Sequence, residues 1–291
     1  MKSAASSPAA WLAALASLVP APAARTVQPN VLASYPHDTS AFTQGLHYER
    51  RTKTLLESTG LYGSSTVRRV EIASGRVLRQ VDLEKEYFGE GVSVDDASNT
   101  CVQLSWRERL CFVRDASTLE PSRVEPLPQG MREGWGLTSD GKGAFWASDG
   151  TSILHELDGA SLAVRRRVRV RLPSGGGFGG AMGFGGFPGV GGLGRELNYI
   201  NDLQWVDGML WANVWGQERL ACIDPTSGIV RGFADLSLLL TPDERRRLSA
   251  EDVLNGIAYD PEGGGKGRGC LYVTGKNWPR LFKIAMPSIG G

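Results

Sequence analysis

The fold is decided by five short stretches of sequence: Gln44-Gly45-Leu46, Glu90-Gly91-Val92, Trp135-Gly136-Leu137, Asn201-Asp202-Leu203 and Asn255-Gly256-Ile257. Each begins with a polar or aromatic residue, continues with a small or short one and ends with an aliphatic one. The aliphatic residues recur after 46, 45, 66 and 54 residues. The two longer intervals contain a glycine-rich stretch and a predicted helix. The basic period is therefore about 45 residues, which is typical of a four-stranded β-propeller blade.

Alternating apolar and polar residues after each stretch predict further strands. The predicted second strands are Thr54–Ser58, Cys101–Ser105, Ala144–Ser148, Met209–Val214 and Cys270–Thr274. Turn signals such as Asp140-Gly141, Asp207-Gly208 and Asp260-Pro261 precede three of them. We therefore expect an all-β fold, a five-bladed β-propeller with four-stranded blades. The fifth unit runs out of chain near Ile284–Met286, so we expect residues 31–35 to supply its outer strand and to close the ring.

Two segments interrupt the repeat. Thr241-Pro242-Asp243-Glu244 has the pattern of a capping box with proline at the first helical position, and it predicts a helix of about 10 residues that ends near Asp252. Residues 173–194 hold 12 of the 38 glycines of the chain and predict a flexible surface loop. Residues 25–291 are expected to form one propeller domain, which includes both segments.

Residues 1–24 have the pattern of a secretory signal peptide. An apolar run of 11 residues, Ala9–Val19, is too short to span a bilayer readily, and small residues suited to a cleavage site follow it. An uncleaved N-terminal anchor is the alternative. No later segment is apolar enough for a membrane helix. We therefore expect the protein to enter the secretory pathway and to be secreted, lumenal or periplasmic. Once the signal peptide is removed, we expect no stable membrane span.

Charge and cysteine content narrow the classes of protein further. A net charge of +1 gives no reason to expect a nucleic-acid partner. The four cysteines contain no CxxC pair, so a zinc knuckle is not expected. Cys101 and Cys111 flank a predicted hairpin around Trp106. They could form a disulfide in an oxidising compartment, or they could be two small buried side chains.

The repeat itself points to a candidate site, because equivalent positions of the blades converge at one end of a propeller. The first repeat positions are Gln44, Glu90, Trp135, Asn201 and Asn255, and the ends of the second strands contribute Trp106, Trp215 and Lys276. Such a set can form a mostly apolar pocket with a few polar groups. The alternative is that the tryptophans only pack between blades. Neither a GxSxG nor an HExxH motif is present, and the three histidines are scattered and expected to be structural.

At these positions the sequence resembles the plant and bacterial type of glutaminyl-peptide cyclotransferase, or glutaminyl cyclase. The stretches that carry the resemblance are 42–46, 62–65, 88–91, 103–106, 134–137, 211–215, 254–258 and 274–279. It extends over residues 30–286 and also implies a five-bladed β-propeller. One departure is Asn201-Asp202, where the family pattern has Asn-Glu. Because the asparagine is kept, we expect the consequence to be local.

The resemblance implies an enzyme that converts the N-terminal glutamine of peptides or proteins to pyroglutamate and releases ammonia. Glu90 matches the catalytic glutamate of the family, as general acid and base. Gln44, Asn201 and Lys276 are the expected substrate-binding or oxyanion donors. Phe42, Trp106, Trp135 and Trp215 are the expected pocket wall. No metal or cofactor is expected, and the protein is expected to be a monomer.

Two other functions stay open at this stage. One is a propeller that binds peptides without catalysis, although such a protein would have no need of Glu90. The other is a metal-dependent, lactonase-like propeller, which would normally have several inward carboxylates around a cation. The repeat positions supply only Glu90 and Asp202 for that purpose.

Overall fold

The five repeats fold into five antiparallel sheets around one axis, in a computed structural model that describes residues 24–173 and 194–289. Two strands precede the first blade: β1 (Arg25–Val27) and β2 (Val31–Pro36). Blade 1 consists of β3 (Thr43–Glu49), β4 (Thr54–Thr59), β5 (Thr66–Val70) and β6 (Val77–Asp82). Blade 2 consists of β7 (Gly89–Asp95), β8 (Thr100–Ser105), β9 (Leu110–Asp115) and β10 (Pro121–Pro126).

The remaining blades follow the same order from the axis outward. Blade 3 consists of β11 (Leu137–Ser139), β12 (Ala144–Ser148), β13 (Ile153–Asp158) and β14 (Val164–Arg169). Blade 4 consists of β15 (Ile200–Val206), β16 (Met209–Val214), β17 (Arg219–Ile223) and β18 (Val230–Asp235). After helix α1 (Pro242–Arg246), blade 5 consists of β19 (Leu254–Gly265), β20 (Arg268–Gly275) and β21 (Arg280–Ala285), with β2 as its fourth strand.

The innermost strands make a closed ring. Each of β3, β7, β11 and β15 contacts the innermost strand of the next blade, and β19 contacts β3 again. The apolar core lies in the layers between neighbouring blades; one layer, for example, joins Trp146 of blade 3 to Leu203 and Phe233 of blade 4. The structure therefore confirms the prediction of a five-bladed propeller with four-stranded blades and one short helix.

The ring closes as predicted, through the strand that precedes the first repeat. β2 pairs antiparallel with β21, with Tyr35 opposite Leu281 and Val31 opposite Ile284. The short strand β1 was not predicted; it adds to the outer edge of blade 4, where it runs parallel to β18. The start of the described chain therefore covers the edges of two blades, which leaves fewer unpaired backbone groups at the rim.

A β-bulge lies at the repeat position of four blades. In β7 the pairing passes from Gly89 opposite Ser105 to Val92 opposite Gln103, so that two residues face one. Comparable shifts occur at Gln44 in β3, at Asn201-Asp202 in β15 and at Asn255-Gly256 in β19. A bulge bends the strand and changes the direction of its side chains. In these four blades the first residue of the repeat therefore leaves the regular alternation.

Glycine at the second repeat position lets the inner strands approach one another closely. A Cβ atom on Gly45 would lie 2.7 Å from the backbone nitrogen of Val92 in the next blade. One on Gly91 would lie 2.6 Å from the carbonyl oxygen of Trp135, and one on Gly136 would lie 2.0 Å from that of Asn201. Backbone atoms cannot move aside as a flexible side chain can. These positions therefore require glycine.

Two predictions about local structure are wrong in extent. The capping box of Thr241 and Glu244 is present, but α1 ends at Arg246 and not near Asp252. The N–H groups of Arg247 and Leu248 donate to carbonyl oxygens three residues back, and that of Ser249 donates to the Asp252 carboxylate, so the helical hydrogen bonds do not continue. The turn predicted at Asp260-Pro261 is displaced, because β19 continues through an irregular segment to Gly265 and turns at 266–267.

The structure decides between the two readings of Cys101 and Cys111. Both thiols are free and buried. Cys101 lies opposite Arg114 and Cys111 lies opposite Leu104, so the two side chains point to opposite faces of blade 2. Cys101 packs between blades 1 and 2 and Cys111 between blades 2 and 3, where burial raises the pKa of each thiol to about 12.

The predictions for residues 1–24 and 173–194 fall outside the described residues, except at Ala24, Pro173 and Gly194. Across the two described ranges, no helix is long and apolar enough to cross a membrane.

A buried polar network joins blade 5 to blade 1 at the point of closure. His37 hydrogen-bonds through Nδ1 to the carbonyl oxygen of Trp278 (2.8 Å) and through Nε2 to Glu57 (2.9 Å). The Glu57 carboxylate also accepts hydrogen bonds from Thr43 (2.7 Å) and from the Arg68 guanidinium (2.9 Å). The chain that links the two blades is thereby held on both sides.

The pKa values of Glu57 and His37 favour the charged form of both side chains. Burial by itself would raise the pKa of Glu57, but His37, Arg68 and the Thr43 hydroxyl outweigh it and lower the pKa to about 2. Burial would likewise lower the pKa of His37, but the Glu57 carboxylate outweighs it and raises the pKa above its ordinary value. Glu57 therefore loses its contribution to stability as the pH falls below about 4.5 towards 2. His37 loses its contribution as the pH rises through its elevated pKa.

We expect Glu57→Gln to lower the free energy of unfolding at pH 6 by about 3 kcal/mol, because it leaves buried cationic partners without their carboxylate. The variant should also lack part of the wild-type loss of stability between pH 4.5 and 2. Urea unfolding at several pH values measures both effects. The control is Glu262→Gln, whose carboxylate lies in an exposed pair with Arg50 and which should change stability by less than about 0.5 kcal/mol. Unchanged stability in Glu57→Gln would contradict this account of ring closure.

We expect Gly136→Ala to lower the free energy of unfolding by about 1–3 kcal/mol or more, since its Cβ atom would overlap the carbonyl oxygen of Asn201. Gly208→Asn is the control: this turn glycine has φ +86° and open space around it, and asparagine tolerates such a backbone. Chemical denaturation compares the two variants. Equal stability of Gly136→Ala and wild type would show that the inner strands can separate without loss.

Candidate functional site

One end of the propeller axis carries a cavity of about 540 Å³. It is lined by Phe42, Gln44, Leu61, Phe88, Glu90, Trp106, Trp135, Tyr199, Asn201, Trp215, Glu251 and Lys276. All the side chains singled out from the sequence are in this set except Asn255. Its volume is in the range of small-molecule sites, and most of its lining is apolar or aromatic.

Glu90 lies deep in the cavity, at the bulge of β7. Its side chain is flanked by glycines, and a Cβ atom on Gly89 would lie 2.6 Å from the carbonyl oxygen of Thr59. The residue is only 4% exposed, and its Oε1 accepts a hydrogen bond from Nε2 of Gln44 (3.0 Å). Burial raises the pKa of Glu90 well above its ordinary value, although the Lys276 ammonium opposes this effect.

Lys276 reaches the same cavity from blade 5. It directly follows β20, and its backbone N–H donates to the carbonyl oxygen of Val253 (3.0 Å). The ammonium lies 4.5 Å from the centre of the Phe42 ring, and the residue is 5% exposed. Burial lowers the pKa of Lys276, while the charge of Glu90 acts against this shift. The cavity therefore contains one acid and one base whose pKa values are shifted towards each other.

Asn255 orients Gln44 from behind the cavity. Its Nδ2 donates to Oε1 of Gln44 (3.0 Å) and to the carbonyl oxygen of Thr43 (3.1 Å). The Gln44 amide oxygen is thus occupied, which turns the amide NH₂ towards Glu90. The sequence placed Asn255 among the converging residues; the structure places it one layer behind the cavity lining.

Asn201 and Asp202 have different surroundings although they are adjacent. Asn201 lines the cavity, and its Oδ1 has no hydrogen-bond partner among the described residues. Asp202 takes the repeat position that is glycine elsewhere, and its Oδ2 accepts the backbone N–H groups of Ile257 (2.8 Å) and Leu46 (3.3 Å). Burial raises the pKa of Asp202 well above its ordinary value. Asp202 therefore links blades 4, 5 and 1, and it does not line the cavity.

Aromatic rings enclose the polar groups. Phe88 contacts Phe42 edge-on with ring centres 6.2 Å apart and lies 5.4 Å from Trp106. Trp135 covers Gly150, where a Cβ atom would lie 2.6 Å from the indole. Trp215 and Tyr199 line the cavity as a further pair, with ring centres 6.0 Å apart. These last two are 39% and 55% exposed, so they stand at the mouth of the cavity.

Sequence reasoning missed four lining residues: Leu61, Phe88, Tyr199 and Glu251. Two of them follow a simple rule that the repeat offered. Phe42 stands two residues before Gln44, and Phe88 and Tyr199 stand equally far before Glu90 and Asn201. Leu61 and Glu251 lie in loops outside the repeated stretches. No signal in the repeat could have identified them.

The arrangement suits proton transfer to and from a bound ligand. A single buried carboxyl group, a buried ammonium and amide groups converge within apolar walls, and such walls raise the strength of electrostatic interactions. In residues 24–173 and 194–289, no three His, Cys, Asp or Glu side chains are grouped so that they could hold a metal ion.

Comparisons with known proteins agree with this geometry. The family model described as glutamine cyclotransferase matches residues 4–175 and 189–286. A glutaminyl-peptide cyclotransferase of Arabidopsis thaliana is 38% identical over 256 residues, which are 88% of this chain and 70% of that protein. The crystal structure of Myxococcus xanthus glutaminyl cyclase superimposes with a TM-score of 0.72 at 30% identity, covering 91% of this chain and 97% of that one.

We expect Lys276→Met to raise the pKa of Glu90 further, because it removes the positive charge that opposes the effect of burial. Carbon-13 NMR of labelled glutamate carboxyl groups, assigned with Glu90→Gln, measures this pKa directly. The matched control is Lys283→Met, which removes an ammonium that lies over Tyr272 on another part of blade 5. A Glu90 pKa that falls or stays constant in Lys276→Met would show that the two groups do not interact.

Proposed function

The chain belongs to the glutamine cyclotransferase family and is a glutaminyl-peptide cyclotransferase, and we propose that Glu90 moves the proton in its reaction. Enzymes of this kind act on peptides or proteins with an N-terminal glutamine. The α-amine attacks the side-chain amide carbon of the same residue, pyroglutamate forms, and ammonia leaves.

The position of Glu90 supports a double role. In the ionised form its carboxylate takes a proton from the attacking amine as the new C–N bond forms. In the protonated form it gives this proton to the leaving amide nitrogen as the old C–N bond breaks, so that the proton departs with ammonia. A raised pKa suits both steps, because general acid–base catalysis works best when the pKa is near the working pH.

The burial of Glu90 is the observation that carries this assignment. Glu251 is the other carboxylate that lines the cavity, but it is exposed and lies at the solvent side. Glu90 is buried and hydrogen-bonded to the oriented amide of Gln44. A proton on Glu90 is therefore kept from exchange with bulk water during the reaction.

Three groups are placed to stabilise the tetrahedral intermediate, in which the former carbonyl oxygen carries negative charge. We assign this task to the amide NH₂ groups of Gln44 and Asn201 and to the ammonium of Lys276, all of which line the cavity. Donors fixed in an apolar enclosure stabilise such an oxyanion more than water does. The Gln44 amide needs no rearrangement, since Asn255 already holds it.

The aromatic wall has a positioning role. An extended glutamine side chain keeps its amide carbon away from its own amine, so a cavity that favours the folded conformer lowers the entropic part of the barrier. Phe42, Trp106, Trp135 and Trp215 surround the polar groups on several sides. Tyr199 and Trp215 stand where the second residue of a peptide would leave the cavity.

We further propose that the protein acts as a monomer in the secretory pathway. The apolar run and small residues in 1–24 support a signal peptide, with an uncleaved anchor as the alternative. Immunoblotting of secreted and membrane fractions after expression of the full chain would distinguish the two.

We expect Glu90→Gln to lower kcat by about 10²–10⁴-fold, because it removes the group that accepts and returns the proton. The assay follows release of ammonia from a peptide that begins with glutamine, with mass spectrometry of the cyclised product. Glu120→Gln is the control, since it removes a carboxylate from an exposed pair with Arg79 and should keep wild-type turnover. Wild-type kcat in Glu90→Gln would refute the role of Glu90. Peptide binding without ammonia release by the wild-type protein would instead indicate a binding protein.

A further inference from the structure

Glu133 occupies a special position in the repeat. It stands two residues before Trp135, in the link that enters blade 3. The equivalent positions of blades 1, 2 and 4 hold aromatic residues that line the cavity, namely Phe42, Phe88 and Tyr199. Blade 3 alone among these four has a carboxylate there. A charged group at the place of a wall ring calls for a polar partner.

The partners of Glu133 are two of the tryptophans in the wall. Its Oε2 accepts the indole N–H of Trp106 at 2.9 Å and that of Trp135 at 3.0 Å. Trp106 comes from the end of β8 in blade 2, whereas Trp135 precedes β11 in blade 3. One carboxylate oxygen therefore connects the walls contributed by two blades.

The backbone and a neighbouring cation hold Glu133 in place. The adjacent Gly134 donates its N–H to the carbonyl oxygens of Ser105 and Trp106, both at 3.1 Å. A Cβ atom on Gly134 would lie 2.4 Å from the Ser105 oxygen, so the link is pressed against the end of β8. Arg107 completes the arrangement: its Nε lies 3.5 Å from Oε1 of Glu133, and its guanidinium lies 3.8 Å above the Trp106 ring.

We propose that Glu133 is a positioning residue that fixes Trp106 and Trp135 in the orientation in which they enclose the glutamine side chain of the substrate. This proposal rests on the proposed function. Hydrogen bonds to an ionised acceptor are stronger than neutral ones, and a shared acceptor correlates the two rings. Without it, each indole would need another partner for its N–H and could rotate about its side-chain torsions. Loosely held rings would no longer favour the folded conformer of glutamine.

Glu133 has a second, electrostatic effect on the site. Burial and the Lys276 charge have the largest effects on the pKa of Glu90. The negative charge of Glu133 comes next and raises this pKa, as do those of Asp202 and Glu108. Loss of the negative charge should therefore lower this pKa, and the release of Arg107 from its partner acts in the same direction. The positional and the electrostatic effects can be separated, because one depends on the length of the side chain and the other on its charge.

Two variants make this separation. Glu133→Asp keeps the charge but withdraws the carboxylate from the indoles, whereas Glu133→Gln removes the charge and keeps one acceptor oxygen. We expect both variants to lower kcat/KM about tenfold, mainly by raising KM. A tenfold loss corresponds to roughly one charge-assisted hydrogen bond. Only Glu133→Gln should move the acidic limb of the kcat/KM–pH profile to lower pH. Glu120→Gln serves again as the control for removal of a surface carboxylate.

A readout that needs no activity accompanies the kinetics. The indole proton resonances of Trp106 and Trp135, assigned with the single variants Trp106→Phe and Trp135→Phe, should move upfield in both Glu133 variants as the bonds to the carboxylate are lost. The loss of kcat/KM in Glu133→Gln combined with Trp106→Phe should be smaller than the two separate losses together, because both remove the same bond.

Several outcomes would overturn the proposal. Unshifted indole resonances, or wild-type KM in both Glu133 variants, would show that Glu133 does not position the rings. Additive losses in the double variant would have the same meaning. A wild-type protein that releases no ammonia would refute the proposed function instead, and the resonances would still decide whether Glu133 holds the tryptophans.

Discussion

The close approach of the five inner strands around the axis is the constraint on which the rest of the structure depends. Gly45 lies against Gly91 and Val92, Gly91 against Trp135 and Gly136, and Gly136 against Asn201. At such distances no side chain fits between the strands, so the second repeat position is restricted to glycine. Blade 4 breaks this pattern, because Asp202 extends its carboxylate to the backbone N–H groups of two other blades. In blade 4 the Asp202 side chain therefore links the inner strands near the axis, whereas glycine at this position lets the inner strands of the other blades approach directly.

The same constraint generates the site. In four blades a β-bulge lies at this point of the inner strand, and it changes the direction of the residue that precedes the close contact. The fold thus presents five equivalent positions at one place, and the chemistry depends on what occupies them. These positions hold a carboxylate in blade 2 (Glu90), amides in blades 1, 4 and 5 (Gln44, Asn201 and Asn255) and an indole in blade 3 (Trp135). The backbone is similar in each blade and the side chains differ, which gives the pocket one buried carboxyl group beside amide groups and aromatic rings.

The repeat was sufficient to predict the blade number, the closing strand β2 and the convergence of Glu90, Lys276 and the wall tryptophans, because all of these follow from equivalent positions. It was insufficient where the register of paired strands or the contacts between blades decide the outcome. From the sequence, Cys101 and Cys111 could form a disulfide. In the structure Cys111 lies opposite Leu104, so the side chain of Cys101 points to the other face of the sheet. The role of Asn255 depends on a hydrogen bond to Gln44 in the neighbouring blade, and that of Glu133 on two indoles brought together only by the ring. Periodicity places residues at one end of the axis, but the partners of each polar atom depend on tertiary packing.

The pairing of Glu90 with Lys276 follows from the same enclosure. Burial shifts the pKa of the acid upward and that of the base downward, and each charge opposes the shift of the other. The ion pair and the neutral pair contain the same number of protons and differ only in which group holds one of them, and the opposite pKa shifts bring their free energies closer together than in water. A group that accepts a proton and returns it within one turnover needs this near balance, since a strongly favoured state would make one of the two transfers slow. In the proposed mechanism the apolar wall therefore acts through the proton affinity of Glu90, and a residue that holds the wall would affect both the conformation of the substrate and that proton affinity.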